Sequence, residues 1–438
     1  MIRAKISDGK LVFSLATFSF GLYLAQFFSI LKYSVNIPFW DEWESINRGA
    51  FLLEPSLRTI FSQHNEHRIV TTKLVTLALY YVDGWDLTTH QALHFIVYGC
   101  LVVLVALFIK RNSPQLPTST LLCFTIFLLS WVSIDNHFWG FQLQFHLALI
   151  FLFLSVWFLF GRAQSWVSAL AGSCCAVLAA YSFSAGLVGS VVILGAYAIF
   201  KLLKAQDADG GPSALQFSVA ALIIGSMVGV YFIGYTSPPE ALPLTLPTKK
   251  LFWTYFLNLL SGGFGYKIDN IALGIIVFFF ALIPVAGLIK RRERLSKEQW
   301  ALIVATAVIF AALVTISMGR AGNGKGNSKQ SRYSEIAIML LPLGLGLWSS
   351  FLAVGNRWRN LVLGVFWIYC FVGLIGYWNF PAAYRTYGME RQRGRDCVAD
   401  YYQHGGDANC PEIYPRPIAD RLEIIRNVPL SFLQEMPK

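Results

Sequence analysis

The chain has 438 residues, of which 55% are hydrophobic and only 13% charged, and its mean hydropathy is +0.54. Soluble domains carry about 25% charged residues, so the composition excludes a water-soluble globular domain. Strand-like alternation is absent, which argues against a β-barrel. The formal net charge of +11 reads as cytoplasmic anchoring of loops, since no basic stretch interleaved with aromatics suggests a nucleic-acid groove.

The first apolar run, residues 11–31, is too long for the core of a signal peptide and lacks a small-residue cleavage site. It reads as a membrane span, for which about 20 apolar residues are needed. Further spans are expected at 87–109, 117–134, 141–160, 165–182, 186–204, 214–236, 268–289, 299–318, 335–354 and 360–380. The expectation is therefore an all-α polytopic protein of about eleven spans, with a membrane domain over 1–380 and a small tail over 381–438. With the N-terminus cytoplasmic, the inner segments hold Arg3, Lys5, Lys10, Lys110, Arg111, Arg162, Lys201, Lys204, Lys290, Arg291, Arg292, Arg294, Lys297, Arg357 and Arg359. That is the positive-inside pattern.

Two apolar stretches do not fit as spans. Ile69–Val82 is short, and crossing there would turn Lys110 and Arg111 outward, so it is expected to be an amphipathic helix on the outer surface. Leu251–Tyr266, which follows the Pro-rich loop from Pro238-Pro239 to Pro247 and contains Gly262-Gly263, is read the same way. The polar segments then converge on one face: the loop 32–86, Asp135–Trp139, Ser182–Gly186, Gly319–Tyr333 and the tail. Of the seven cysteines, Cys100, Cys123, Cys174, Cys175 and Cys370 fall in or near spans and read as small apolar residues. Cys397 and Cys410 lie in the outer tail, where a disulfide or two free thiols are the alternatives.

Phe39-Trp40-Asp41-Glu42-Trp43-Glu44 follows Pro38 at the exit of the first span. Its aromatics suit a membrane interface and its acids suit a helix N-terminus. The functional alternative is a carboxylate that accepts a proton from an acceptor hydroxyl, with Asp41 first and Glu42 second. His64-Asn65-Glu66-His67-Arg68 is expected to open the surface helix, as a cap or as a substrate-binding cluster. Its two histidines, three apart, do not match the zinc-protease spacing, and no metal is indicated. Asp135-Asn136-His137 sits on a short outer turn. His90 and His94, and Gln142 and His146, make helical pairs best explained as buried hydrogen-bonded side chains. Arg320, Lys325, Lys329, Arg332 and Tyr333 form a glycine-rich basic outer loop against the charge trend, which points to an anion: arginine presents a fork suited to phosphate.

One span, a long outer loop opening on Asp41-Glu42, surface helices, many further spans and Arg332-Tyr333 at the start of a late span together resemble the GT-C superfamily of polytopic glycosyltransferases. The resemblance implies a polyprenyl-phosphate sugar as donor and a cell-envelope glycan or lipid as acceptor, in a bacterial inner membrane. Asp41 or Glu42 would act as base, and Glu44, His64, Glu66, His67, Arg68, Asp135 and His137 would hold substrate. Arg332, with Arg320 or Lys325 and Tyr333, would stabilise the leaving phosphate during an inverting displacement. A transporter or flippase of a lipid-linked sugar is the rival reading. It would place ionisable residues along a path through the bundle.

Overall fold

The computed structural model describes residues 2–129, 133–161, 165–204, 212–238, 242–265, 268–291, 295–376, 378 and 380–436. Arg162, Pro239, Tyr266, Arg292 and Arg294 lie outside them, as does the side chain of Lys325. The regular structure of the described residues is helical, apart from a single antiparallel bridge between His64 and His67. Among them, nine helices are long and apolar enough to cross a membrane: Gly9–Tyr33, Leu87–Asn112, Gly140–Leu159, Ser184–Leu203, Ala214–Tyr231, Ile271–Lys290, Lys297–Asn323, Ser331–Phe351 and Arg357–Gly376. The chain is a multi-pass membrane protein. At the two other expected spans the helices are Thr118–Leu128 and Trp166–Ala180, of 11 and 15 residues.

Local chemistry starts and ends these helices. Asp86 accepts from the Thr88 and Thr89 amides, Asn270 from Ala272 and Leu273, and Ser213 and Ser296 pair with Gln216 and Gln299 in capping boxes. Each satisfies amides the helix itself leaves free. Basic residues near helix ends lie on aromatic rings: Arg111 on Trp157 at 4.3 Å, Arg291 on Phe351 at 4.2 Å and Lys201 on Phe217 at 4.9 Å. Close helix crossings fall at small residues. A Cβ on Gly274 would overlap the Leu257 carbonyl, and one on Gly186 the Ala179 carbonyl.

The stretch read as a surface helix at 69–82 is the helix Val70–Asp83. It buries Val70, Thr72, Lys73 and Thr76 and packs Leu77, Leu79 and Tyr80 on a second hydrophobic core, while Leu74, Tyr81 and Val82 are exposed. Its exposed apolar residues suit a helix at a lipid surface. The second stretch departs from expectation. Lys250–Ser261 buries Phe252, Tyr255, Phe256, Leu259 and Leu260 and packs through Gly274 against the following span. It is a member of the bundle, because its aromatic face finds protein partners.

A second core lies outside the membrane helices. Val35, Ile37, Trp43, Ile46 and Leu52 of the first loop pack with Trp85, Leu87 and the tail residues Val398, Ile413, Ile418, Leu422, Ile425, Leu430 and Phe432. The 25-residue helix Phe380–His404 carries the chain up to this core. Cys397 and Cys410 are joined by a disulfide. Asn36 ties the first loop to the tail through Ser431 (2.9 Å) and Glu435 (2.8 Å).

Candidate active site

Pro38 leaves Phe39 extended (φ −130°), and the chain then turns as a 3-10 helix, Trp40–Ile46. Trp40 has a left-handed φ of 48°, a conformation that costs on the order of 1–3 kcal/mol outside glycine. Its amide donates to the Ile413 carbonyl at 2.8 Å, so the tail holds the turn. Three residues per turn align Asp41 with Glu44, and both line the same open cleft of about 710 Å³. Glu42 points the other way. It is 2% exposed and accepts from the Phe39 amide at 2.9 Å and the Phe141 amide at 3.1 Å. Burial pushes its carboxyl up to about 7. Glu42 lines none of the cavities described here and serves to pin the turn onto Gly140–Gln142. Of the two acids read as candidate bases, only Asp41 faces open space.

His64–Arg68 is a tight turn, not the opening of a helix. His64 and His67 exchange backbone hydrogen bonds at 2.8 and 2.9 Å, and Asn65 takes φ 50°; the helix starts at Val70. His64 and Glu66 thus face the cleft that Asp41 lines, and His67 lines the inner cavity beside it. Arg68 does not. Its guanidinium donates to the carbonyls of Phe61, Tyr231 and Ile233, which fixes this turn to the end of the Ala214–Tyr231 span. Glu66 is ion-paired with Arg320, so two residues expected to hold substrate and phosphate separately hold each other.

An inner cavity of about 370 Å³ continues from the cleft and is lined by Asp41, His64, Glu66, His67, Arg320, Arg332 and Tyr333, with Trp40, Trp139 and Phe141 as aromatic walls. Asp41 and three of the four expected phosphate-binding residues, Arg320, Arg332 and Tyr333, therefore border one space. Arg332 lies 5.8 Å from the Trp139 ring and 5.1 Å from that of Tyr333, and its Nε is buried without an acceptor. Asp135 is set aside from Asp41: it accepts from the Ser331 hydroxyl at 2.7 Å and lines a third cavity, of about 580 Å³. His137 is buried against the Tyr384 hydroxyl at 2.8 Å and lines none of these three cavities. Glu44 accepts from Tyr414 at 2.6 Å and Arg421 at 2.7 Å.

Burial raises the Asp41 carboxyl above its ordinary value, opposed chiefly by His64 and then Arg332, with Glu44 adding to the rise and Arg320 opposing it. No side chain among the described residues hydrogen-bonds Asp41, so its lone pairs are available to a ligand. Burial lowers His64, opposed chiefly by Asp41, and it lowers His67 well below the usual range, with Arg320 assisting. This arrangement can hold an anion against Arg332 while a raised carboxylate accepts a proton nearby. Among the described residues no group of three or more His, Cys, Asp or Glu is placed to hold a metal ion.

Sequence reasoning missed two contributions. The tail supplies Tyr414, Pro415 and Arg416 to the open cleft and Tyr387, Glu390, Arg391, Arg393, Pro411 and Glu412 to the third cavity. Its signal was the run Arg391-Gln392-Arg393-Gly394-Arg395, basic charge of the same kind that drew attention to 319–333. The other is Glu335, the single acid of its span. It accepts from His146 (2.7 Å) and Asn136 (2.6 Å), and His146 contacts His94 at 2.7 Å. No protein-family model matches the chain, and neither curated proteins nor solved structures show a significant match to it.

Proposed function

We propose that the chain is a GT-C-like membrane glycosyltransferase, moving a sugar from a polyprenyl-phosphate donor to a hydroxyl of a cell-envelope glycan or lipid at the extracytoplasmic face. One observation carries the reading: Asp41, which no side chain among the described residues hydrogen-bonds and which burial raises, lines the same cavity as Arg332 and Arg320. In this mechanism the acceptor hydroxyl lies against Asp41, which takes its proton as the oxygen attacks the sugar C1. The C1–phosphate bond breaks on the opposite face, inverting the anomeric centre, and Arg332 stabilises the departing phosphate. Arg320 shares its charge with Glu66 and is the secondary cation. Loss of one preorganised donor of this kind costs on the order of 10²–10³ in rate.

The test is product formation by the purified chain in lipid vesicles, given a panel of polyprenyl-phosphate sugars and cell-envelope acceptors. Transfer that collapses in Arg332→Gln supports the reading; a chain that transfers nothing from any donor, yet moves lipid-linked sugar across the vesicle, refutes it. The second outcome belongs to the rival reading as a transporter, which the buried chain His94–His146–Glu335 inside the spans favours.

A further inference from the structure

The third cavity has a composition the catalytic reading does not use. It is bounded by Phe39, Trp40, Trp139 and Tyr387, and it receives Arg332 from the start of the Ser331–Phe351 span and Arg391 from the Phe380–His404 helix. Arg391 is 3% exposed, its guanidinium stacks 3.1 Å above the Phe39 ring, and its Nε is buried without an acceptor, as is that of Arg332. Phe39 and Trp139 meet edge to face at 5.3 Å, so the two guanidinium groups lie on the outer members of one aromatic pair. Neither is ion-paired or hydrogen-bonded among the described residues. Buried guanidinium donors are costly to leave unmade, and burying a charge is costly unless it is paired. Both considerations call for an anionic ligand.

Three carboxylates line the same space, and the buried Glu42, which already accepts from the Phe39 and Phe141 amides, is the foremost charge favouring the Arg391 cation; all four must be weighed. Asp135 already accepts from the Ser331 hydroxyl. Glu390 and Glu412 are half-buried and bond to neither arginine. They reduce the field of the cavity without filling the forks. At about 580 Å³ the space has the size of a small-molecule site.

We propose that this cavity is a second anion subsite that takes a phosphoryl group, held by the planar forks of Arg391 and Arg332. It is distinct from the inner cavity, where Arg332 is joined by Arg320 and Asp41, and Arg332 borders both. Binding here does not depend on the catalytic reading. Its place in the reaction does: resting on that reading, the acceptor is a phosphorylated lipid or glycan whose acidic group docks here while its hydroxyl reaches Asp41.

The test is titration of the full-length protein in phosphatidylcholine nanodiscs with glycerol 3-phosphate, and with glycerol as the uncharged control. Tryptophan fluorescence reports binding, since Trp40 and Trp139 line the cavity. Saturable binding of glycerol 3-phosphate alone is expected. Arg391→Gln raises its Kd at least tenfold, and Arg391→Lys, which keeps the charge but loses the fork, raises it less. Glu412→Gln removes a repelling charge and lowers Kd about threefold, a gain that a merely structural role would not produce. Wild-type Kd in both Arg391 variants, or a Glu412→Gln protein that binds no tighter, overturns the proposal. Doping the nanodiscs with phosphatidic acid identifies the source: competition with glycerol 3-phosphate assigns the site to a lipid headgroup, and its absence to a phosphorylated glycan. If glycosyl transfer fails while this binding persists, the subsite stands and only the catalytic reading falls.

Discussion

Asp41→Asn is the most incisive perturbation because the structure confines its effect to chemistry. Asn is isosteric, and no side chain among the described residues hydrogen-bonds the Asp41 carboxylate, so the substitution breaks no structural contact. Removing a general base costs roughly 10²–10⁴ in rate, or about 3–5 kcal/mol of activation free energy at 1.36 kcal/mol per decade. The loss is expected in kcat, with the donor KM changing by no more than about threefold, and with thermal stability retained. The pH profile sharpens the test. The active form is the carboxylate, so the rate falls as pH drops through the folded-state pKa of Asp41, which burial places above its ordinary value of 3.8. Arg332 holds that value down and Glu44 holds it up. In Arg332→Gln the acid limb therefore moves to higher pH, and in Glu44→Gln to lower pH. Initial rates measured with a labelled polyprenyl-phosphate sugar between pH 4 and 8 give all of these quantities. An Asp41→Asn enzyme within threefold of wild type, or limbs that move in the opposite directions, would refute Asp41 as the base.

Glu42 carries a stability signature of the opposite kind. Its folded carboxyl is raised from 4.5 to about 7, so the folded state binds the extra proton and stability falls as pH rises from about 4.5 to 7. Thermal denaturation in detergent should show a higher apparent Tm at pH 5 than at pH 7, a slope that Glu42→Gln abolishes; a flat wild-type profile contradicts the assignment. The Cys397–Cys410 bridge closes a sequence separation of 13 residues, which corresponds to about 3 kcal/mol in the chain-entropy account. Cys397→Ser with Cys410→Ser should lower the Tm of the loop–tail unit and loosen the Trp40 turn that Ile413 holds, read as faster proteolysis of 405–420 in the double variant. Gly274→Ala should destabilise by about 1–3 kcal/mol, because the added methyl meets the Leu257 carbonyl; Gly225→Ala, with open space around it, should be neutral, and equal melting of the two variants would contradict this packing.

Membrane class and most spans were legible in the sequence because they rest on additive quantities. Apolar length sets a span, and the charge of short loops sets their side; neither needs knowledge of neighbours. Arg320 and Arg332 drew attention as basic groups displaced from the side the trend assigns, and Asp41 as an acid set between tryptophans at the exit of the first span. Pairing decided the rest. Nothing in the order Asp41-Glu42 says which carboxylate faces open space; the 3-10 turn and the Phe141 amide decide it. Arg68 reads as a substrate cation until the Phe61 carbonyl of its own loop and the Tyr231 and Ile233 carbonyls of a distant segment close on it, and Glu66 and Arg320, 254 positions apart, neutralise each other only once folded. Lys250–Ser261 has the pattern of a surface helix, yet it is packed into the bundle because a glycine on the next span lets its backbone approach. The tail reads as an appendage, whereas the structure folds it over the first loop, where Ile413 sets Trp40 and Arg391 enters a cavity. Local pattern fixes what each segment is, but long-range contact alone fixes which polar groups are consumed and which are left for a ligand.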